Sequence, residues 1–238
     1  MPLASSARAV VTGTGSGLGR AFCIELAKRG ARVVISDVDE AAWAALGGVD
    51  LLINNAGVAV GGSIGQIPLE DWRWIVDVNL WGPIYGCHTF VPRLRQQGSG
   101  HVLNVASAAG LFASPQMGPY NVTKSGVVAL SETLFSELQP VGIGVSVLCP
   151  TFFETNIAKA SRMSGDPGML NLVQGLMSGA GLQAADVARI ALDGVAKDEL
   201  YILPHADGRW MWRLKRLNPA FIQSLTQRVF AWRAGRST

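Results

Sequence analysis

The sequence predicts an α/β fold in which helices cover both faces of a doubly wound parallel sheet. Three observations indicate this fold: short apolar strands alternate with helical stretches, 49% of the 238 residues are hydrophobic, and 28 residues are Gly. Continuous apolar strands are typical of parallel sheets that are buried on both faces. The apolar content excludes a disordered chain. We therefore expect one three-layer αβα domain over residues 1–238.

The first half of the chain alternates predicted strands and helices around a glycine-rich turn. A strand begins at Arg8 and breaks at Gly13, and the helix that follows ends at Gly30, because Gly commonly terminates helices. The next predicted elements are a strand over 32–36, a short helix over 39–46, a strand over 49–53 and a helix over 69–85 that continues toward 94.

The second half continues the alternation and adds two less regular segments. Its predicted elements are a strand over 102–105, a helix over 120–138, a strand over 144–148, a helix over 184–196 and a strand over 200–203. Residues 151–182 are rich in Met, Gly and Ser and are predicted to form a flap. Residues 205–238 form a basic, aromatic C-terminal extension with seven Arg or Lys and one Asp.

Several features narrow the class of protein. No window holds about 18 uninterrupted apolar residues, so the sequence predicts no membrane-spanning helix. Residues 1–8 lack the apolar core of a signal peptide, which favours a cytoplasmic location. Cys23, Cys87 and Cys149 lack the spacing of metal ligands. We expect them to be reduced, buried thiols, and no metal site is predicted.

A turn with Gly at positions 13, 15, 17 and 19 lies between the first strand and the first helix. Glycines let a backbone approach a phosphate closely, and the helix offers N–H groups and the positive end of its dipole. Asp37 follows the next strand, 18 residues after Gly19. Its carboxylate would accept hydrogen bonds from a ribose diol and repel a 2′-phosphate, which favours NAD over NADP. The alternatives are a purely structural turn and an Asp that caps the next helix.

Five segments, the glycine turn included, occur in a characteristic order. They are Thr12–Gly19, Asn54–Gly57, Asn79, Ser107 and Tyr120–Lys124. Together they closely resemble the short-chain dehydrogenase/reductase family, which has a Rossmann-type fold. The resemblance covers most of residues 8–160 and returns more weakly after residue 184.

The resemblance implies a catalytic tetrad. Tyr120 would be the general acid/base that gives a proton to a carbonyl oxygen or takes one from a hydroxyl. Lys124 lies one helical turn further on, where its cation would lower the pKa of Tyr120 and hold the nicotinamide ribose. Ser107 would hydrogen-bond the substrate oxygen where charge develops. Asn79 would anchor a water in a proton relay to Lys124.

The resemblance also implies the residues that bind the cofactor. These are Gly13, Ser16, Gly17, Leu18, Gly19, Asp37, Asn55, Ala56, Gly57, Tyr120, Lys124 and Thr155. Thr151 departs from the family, which usually has Gly directly after the Pro at position 150. A β-branched residue resists backbone angles that Gly tolerates. This substitution puts the loop path over the nicotinamide in question, although cofactor binding is still expected.

A larger departure lies between Asp37 and Asn54, where only 16 residues stand. The family fits a helix, a strand and another helix there, and a parallel crossover alone needs about a dozen residues. Roughly thirty residues are missing by this comparison, which exceeds ordinary loop variation. Three explanations of this short segment remain open: a true deletion, a shortened form of the protein and an omitted loop. A true deletion would remove one edge strand and expose the edge of the second strand.

These residues predict an enzyme that transfers hydride between NAD and a hydrophobic ketone or secondary alcohol. The predicted apolar wall of the substrate site comprises Ala108, Leu111, Phe112, Met117, Phe152, Phe153 and either Met163 or Met169. The resemblance implies a homodimer or homotetramer built from the helices around 70–95 and 120–138. The alternative from another class is a non-catalytic nucleotide-binding scaffold or sensor on the same fold.

The extension over 205–238 has two interpretations. Arg and aromatic residues are mixed from Arg209 to Trp232, which suits a surface that touches anionic lipid or nucleic acid. The other interpretation is a helix packed on the substrate mouth or on a partner subunit, with its Arg side chains solvated. The second interpretation is preferred, and no nucleic-acid partner is predicted.

Overall fold

The structure is a computed structural model that describes residues 6–35, 45–153, 161–164 and 181–234, together with residues 157, 175 and 179. Within these ranges the side chains of residues 229 and 232–234 are not described. Several predictions lie outside the described residues: the roles of Asp37 and Thr155, the placement of Met169, most of the helix over 39–46 and most of the flap over 151–182.

A six-stranded parallel sheet forms the centre of the fold. In chain order the strands of the structure are β1 (Arg8–Val11), β2 (Arg32–Ile35), β3 (Leu51–Asn54), β4 (Val60–Gly62), β5 (Gly100–Val105), β6 (Ile143–Leu148), β7 (Arg162–Ser164) and β8 (Tyr201–Ile202). The central sheet has the order β2-β1-β3-β5-β6-β8, and each neighbouring pair is parallel. The chain runs outward from β1 to β2 and then crosses to β3 on the other side of β1. This reversal is the switch point of a doubly wound sheet, where ligands bind at the carboxyl ends of the strands.

Helices cover both faces of the sheet, which confirms the predicted three-layer α/β architecture. They are α1 (Gly17–Lys28), α2 (Leu69–Val76), α3 (Gly82–Gln97), α4 (Gly118–Leu138), α5 (Ala184–Ala196), α6 (Ala206–Leu217) and α7 (Pro219–Ala234). One core holds Phe22 of α1 and Leu192 of α5, and the core on the other face holds Phe90 of α3 and Leu138 of α4. Every residue of β3, β5 and β6 is buried because both faces are covered.

The predicted long helix from residue 69 toward 94 is two helices joined by a π-helical turn. The turn comprises Asp77–Trp81, between the end of α2 and the start of α3. Such turns are often found at functional sites. This one carries Asn79, whose side chain is fully buried. The spacing of apolar residues in the sequence predicts a helix here, but it does not reveal the wider π-helical turn.

A second, two-stranded sheet pairs β4 with β7, in parallel, with Val60 opposite Arg162. The Arg162 guanidinium lies 2.8 Å from a carboxylate oxygen of Asp71 and 3.9 Å from the ring centroid of Trp74. Both partners belong to α2. The described residues 161–164 of the predicted flap are therefore tied to β4 and α2.

β2 is an edge strand of the central sheet. Its end residues Arg32 and Ile35 are exposed, unlike those of the inner strands. Asp50 leads directly into β3, and its carboxylate oxygens accept hydrogen bonds of 2.9 and 2.6 Å from the Arg8 side chain. Within the described ranges no strand lies beyond β2.

The C-terminal extension forms α6 and α7. Trp212 of α6 packs against an apolar cluster that includes Leu111 and Val127. Lys215 of the same helix donates a hydrogen bond to the Leu111 carbonyl oxygen. These contacts attach α6 to the rest of the protein. None of the helices in the described residues is long and apolar enough to traverse a bilayer.

Candidate active site

The glycine turn lies at the carboxyl end of β1, against the segment that follows β3. Gly13 has a φ of +66°, and a Cβ at this position would lie 2.6 Å from the Ala56 Cα. A Cβ on Gly19 would collide with the Gly13 carbonyl oxygen. The two glycines therefore permit a close backbone approach that side chains would prevent.

Hydrogen bonds join this turn to the segment after β3. The Asn55 side-chain amide donates to the carbonyl oxygens of Thr12 at 2.9 Å and Gly13 at 3.1 Å. In return, the Thr12 hydroxyl accepts from the backbone N–H groups of Asn55 at 3.0 Å and Ala56 at 3.1 Å. The two segments thus form one braced unit at the switch point of the sheet.

The N-terminus of α1 lies next to this braced unit. Ser16 precedes the helix with an extended backbone, Gly17 begins it with a φ of +54°, and Leu18 is buried beneath it. The first turn of α1 contains no acidic residue. Unpaired N–H groups and the positive end of the dipole favour an anion at such a terminus. The glycine turn and the first turn of α1 therefore fit the pyrophosphate of a dinucleotide.

Tyr120 and Lys124 lie one turn apart on α4 and meet near the end of β5. The Lys124 Nζ lies 5.8 Å from the centroid of the Tyr120 ring. It donates a 2.9 Å hydrogen bond to the Val105 carbonyl oxygen, and only 3% of the residue is exposed. The helical spacing thus places the pair together as the sequence predicts.

Asn79 approaches the same place from the π-helical turn. Its Oδ1 accepts from the Val58 N–H at 2.8 Å, and its Nδ2 donates to the Val58 carbonyl oxygen at 2.9 Å. A Cβ on Gly57 would lie 3.4 Å from both Asn79 Oδ1 and Lys124 Nζ. Gly57 therefore leaves room for these two side chains to approach the backbone after β3.

Ser107 follows the end of β5 and faces Tyr120. Its hydroxyl accepts from the Ala109 N–H at 3.2 Å. A hydrogen-bonding interaction with the Ser107 side chain also acts to lower the pKa of Tyr120. The Ala108 N–H donates to the Pro150 carbonyl oxygen at 2.8 Å, which links the loops after β5 and β6. The structure therefore brings Ser107, Tyr120, Lys124 and Asn79 to one edge of the sheet.

Burial changes the proton affinity of two of these groups. It raises the pKa of Tyr120, while the hydrogen bond from Ser107 acts in the opposite direction. Burial also lowers the pKa of Lys124 to about 8. The prediction that Lys124 lowers the pKa of Tyr120 is therefore wrong for this structure. Loss of solvent dominates at the phenol, and the ammonium group donates to Val105 instead.

The loop after β6 accommodates Thr151 without left-handed backbone. Among the described residues, only Gln116 and Asp198 have a positive φ without being Gly. The Thr151 N–H donates to the His205 Nδ1 at 3.3 Å, and a Cβ on Gly208 would lie 2.9 Å from the Thr151 Cγ2. Sequence reasoning missed His205 and Gly208, although the departure at Thr151 marked this loop as unusual.

The residues of the predicted apolar wall differ in their burial and in what they pack against. Leu111 and Phe153 are buried, and Phe153 belongs to the central core. Phe152 is exposed, while the Met163 side chain lies against Gly61 of β4. Met163 therefore packs against β4 of the small sheet, whereas Phe153 packs in the central core. The described residues contain no cluster of three or more His, Cys, Asp or Glu that could hold a metal ion.

A family model for short chain dehydrogenases matches residues 7–46 and 36–165. These matches include the glycine turn and all four residues of the tetrad. The chain therefore belongs to the short-chain dehydrogenase family. The match is divided within 36–46, where the sequence predicts a shortened path between β2 and β3.

Two curated proteins illustrate the similarity. The chain is 32% identical to the probable oxidoreductase EphD of Mycobacterium tuberculosis over 183 aligned positions, which cover 62% of this chain and 31% of EphD. It is 37% identical to the C alpha-dehydrogenase of Sphingobium sp. strain SYK-6 over 169 positions, which cover 67% of this chain and 55% of that protein. The chain thus spans less than two thirds of the length of either relative. Since 62% of 238 residues is far fewer than 183, the EphD alignment leaves dozens of positions without a counterpart here.

A solved structure of a short-chain dehydrogenase/reductase from Burkholderia phymatum, in complex with NAD, has the same fold. It is 32% identical to this chain with a TM-score of 0.81, and the match covers 91% of this chain and 95% of that one. This similarity confirms the Rossmann-type α/β fold.

Proposed function

We propose that the protein is an NAD-dependent oxidoreductase that transfers hydride between the nicotinamide and a hydrophobic ketone or secondary alcohol. The observation that carries this proposal is the convergence of Ser107, Tyr120, Lys124 and Asn79 beside the braced glycine turn. Membership of the short-chain dehydrogenase family supports the reaction class. The NAD complex of the Burkholderia phymatum relative supports the cofactor.

The residues around the switch point would bind the cofactor. The pyrophosphate would lie against the backbone of Gly13, Ser16, Gly17, Leu18 and Gly19, and the segment Asn55, Ala56 and Gly57 would line the opposite side. Asp37 would bind the adenosine ribose, Lys124 the nicotinamide ribose and Thr155 the carboxamide. Bound there, the cofactor would supply or accept the hydride.

The chain's own groups would handle the proton. The Tyr120 hydroxyl would donate to the carbonyl oxygen of the substrate, while Ser107 would hydrogen-bond the same oxygen. Burial raises the pKa of Tyr120 and so favours the neutral phenol, which is the form that donates a proton. The Asn79 Oδ1 keeps a second lone pair beyond its bond to Val58, so it can still accept from a relay water.

A panel of hydrophobic ketones and secondary alcohols, assayed with NAD(H) and NADP(H), tests this proposal. We expect turnover of at least one hydrophobic substrate with NAD(H), and weaker turnover with NADP(H). NADH binding without turnover of any panel member would favour the non-catalytic scaffold or sensor. Absence of both binding and turnover would contradict the cofactor assignment.

The cofactor preference depends on Asp37. The Asp37→Ser variant removes the carboxylate that would repel a 2′-phosphate, so it is expected to improve KM for NADPH and worsen KM for NADH. Equal KM values for the two cofactors in the unmodified protein would remove the basis for this assignment.

The protein is also proposed to form a homodimer or homotetramer through α3 and α4. Trp81 and Tyr85 are both exposed, and their ring centroids lie 5.4 Å apart. Val122 on α4 is exposed as well. An exposed aromatic pair at the start of α3 and an exposed Val on α4 support an interface between copies of the chain.

A further inference from the structure

The outward face of α6 carries an apolar stripe. Trp210, Leu214 and Leu217 are 69%, 41% and 84% exposed. Their spacing of four and three residues places them on one face of the helix. The following helix, α7, adds exposed Phe221 and Leu225, again four residues apart.

The opposite face of α6 holds the helix to the rest of the protein. Trp212 packs into the apolar cluster of Leu111 and Val127, and Lys215 donates to the Leu111 carbonyl oxygen. Gly208 lies against Thr151 in the loop after β6. Because this face is attached, the stripe of Trp210, Leu214 and Leu217 points away from the body.

Exposed basic side chains lie beside both tryptophans of α6. Arg213 and Arg216 are exposed, and their guanidinium carbons lie 5.7 Å from the Trp210 ring centroid and 5.0 Å from the Trp212 ring centroid. Residues 205–238 carry seven basic residues against the single acidic Asp207. The extension therefore combines exposed aliphatic and aromatic groups with a strongly positive charge.

The combination of exposed apolar groups and positive charge distinguishes between the partners that could bind this face. A second copy of the chain docking through the same face would bring two strongly positive surfaces together, which opposes association. Nucleic acid would engage the arginines but would leave Leu214, Leu217 and Leu225 against water. An anionic bilayer surface offers acyl chains for the stripe and negative headgroups for the arginines.

We propose that α6 and α7 bind the surface of an anionic phospholipid bilayer. The apolar stripe would enter the boundary between headgroups and acyl chains, with Arg213 and Arg216 at the level of the phosphates. The helices would lie along the surface and would not cross it, in agreement with the absence of a spanning helix among the described residues.

Vesicle co-sedimentation of the full chain tests this proposal. Wild-type protein is expected to sediment with vesicles of phosphatidylcholine containing phosphatidylserine, and much less with phosphatidylcholine alone. Added salt is expected to weaken the binding. The variant Trp210→Ser/Leu214→Ser/Leu217→Ser is expected to partition at least about tenfold more weakly because the buried apolar area is lost.

Variants that remove positive charge test the electrostatic contribution to vesicle binding. Arg213→Gln/Arg216→Gln is expected to weaken binding about fivefold for each charge removed, on phosphatidylserine vesicles only. The matched control is Ile24→Ser/Leu69→Ser, which removes exposed apolar side chains elsewhere and should leave binding unchanged. Circular dichroism of each variant verifies that it is folded.

Three results would overturn the proposal. The first is that wild-type protein fails to sediment with phosphatidylserine vesicles. The second is that the stripe variant lowers the oligomer mass in light scattering while vesicle binding is unchanged, which would assign the face to a second copy. The third is binding of duplex DNA in place of vesicles, with sensitivity to the arginine variant alone.

Discussion

Lys124 keeps an ammonium group in surroundings that are nearly closed to solvent. Its pKa is lowered to about 8 because burial disfavours the charged form. The Val105 carbonyl oxygen is a single neutral acceptor, and it offsets only part of the lost hydration. Burial of the Lys124 ammonium group therefore costs native-state stability.

The Lys124→Met variant is expected to be more stable than wild type by about 1–3 kcal/mol near pH 7, because no buried charge remains. In the unfolded chain the lysine pKa is 10.5, so the unfolded state binds more protons than the native state between about pH 8 and 10.5. Wild-type stability gains as pH rises through that window, and the advantage of the variant shrinks.

Denaturant unfolding of both proteins near pH 7 and near pH 10 checks this expectation. Lys197→Met, at an exposed lysine, is the matched control and should show little change at either pH. A Lys124→Met variant that is less stable than wild type at both pH values would refute it.

At this scale the sequence predicts which residues meet but not how burial affects them. The spacing of Tyr120 and Lys124 places them together, since one helical turn separates them. Their pKa values depend on how deeply the site is enclosed, which is determined by distant segments such as the π-helical turn. For this reason the expected direction of the Tyr120 pKa shift is wrong while the pairing is right.

At the scale of elements, α6 is fitted to the loop after β6. The family position that usually holds Gly is Thr151 here, and its side chain occupies the space over Gly208. His205 accepts from the Thr151 backbone at the start of the same helix. The loop after β6 thus contacts two residues that lie more than fifty positions further along the chain.

Gly208→Ala is expected to destabilise the protein by about 1–2 kcal/mol because the new Cβ overlaps Thr151. In a Thr151→Ala background the same change should be stabilising by about 0.5–1 kcal/mol, since Ala favours a helix more than Gly does. Thermal unfolding of the four proteins measures this double-mutant cycle. Additive effects in the two backgrounds would show that the two residues do not interact.

Arg162 ties β7 to α2 through Asp71 and Trp74. Arg162→Ala is expected to lower the local opening free energy of β7 by about 1 kcal/mol, because both contacts are partly solvated. Hydrogen exchange at the amides of residues 162–164 measures this opening. Arg162→Lys, which keeps the charge but loses the planar stack, should be intermediate. Unchanged exchange in Arg162→Ala would show that β4 alone holds the strand.

The strand β7 and the π-helical turn show what local patterns leave out. Residues 162–164 carry little apolar alternation, and their strand forms because β4 and α2 offer partners far away in sequence. The buried strands β3, β5 and β6 are different, because their continuous apolar character already predicts two covered faces.

At the scale of the whole molecule, the described sheet keeps its doubly wound strand order around β1. β1 still lies between β2 and β3, so the switch point beside the glycine turn is retained. The order of segments in the sequence predicts this arrangement because each motif follows a strand whose carboxyl end lies at the same edge. The shortening is visible in the sequence as a missing length, and the division of the family match falls at the same segment.

The proposed assembly through α3 and α4 predicts a monomer when its aromatic pair is disrupted. Tyr85→Glu places a charge beside Trp81, so the variant is expected to lose the dimer or tetramer in size-exclusion chromatography with light scattering. Ile24→Glu, at an exposed position of α1, is the control and should keep the wild-type mass. A monomeric wild type would refute the assembly.

The central claim is that Tyr120 transfers the proton while the glycine turn holds the cofactor. Single-turnover oxidation of NADH by a hydrophobic ketone, compared between wild type and Tyr120→Phe, tests it most directly. The account predicts a loss of at least about 100-fold in the rate of turnover, with NADH affinity unchanged within a few fold. A Tyr120→Phe variant that turns over at the wild-type rate would contradict it.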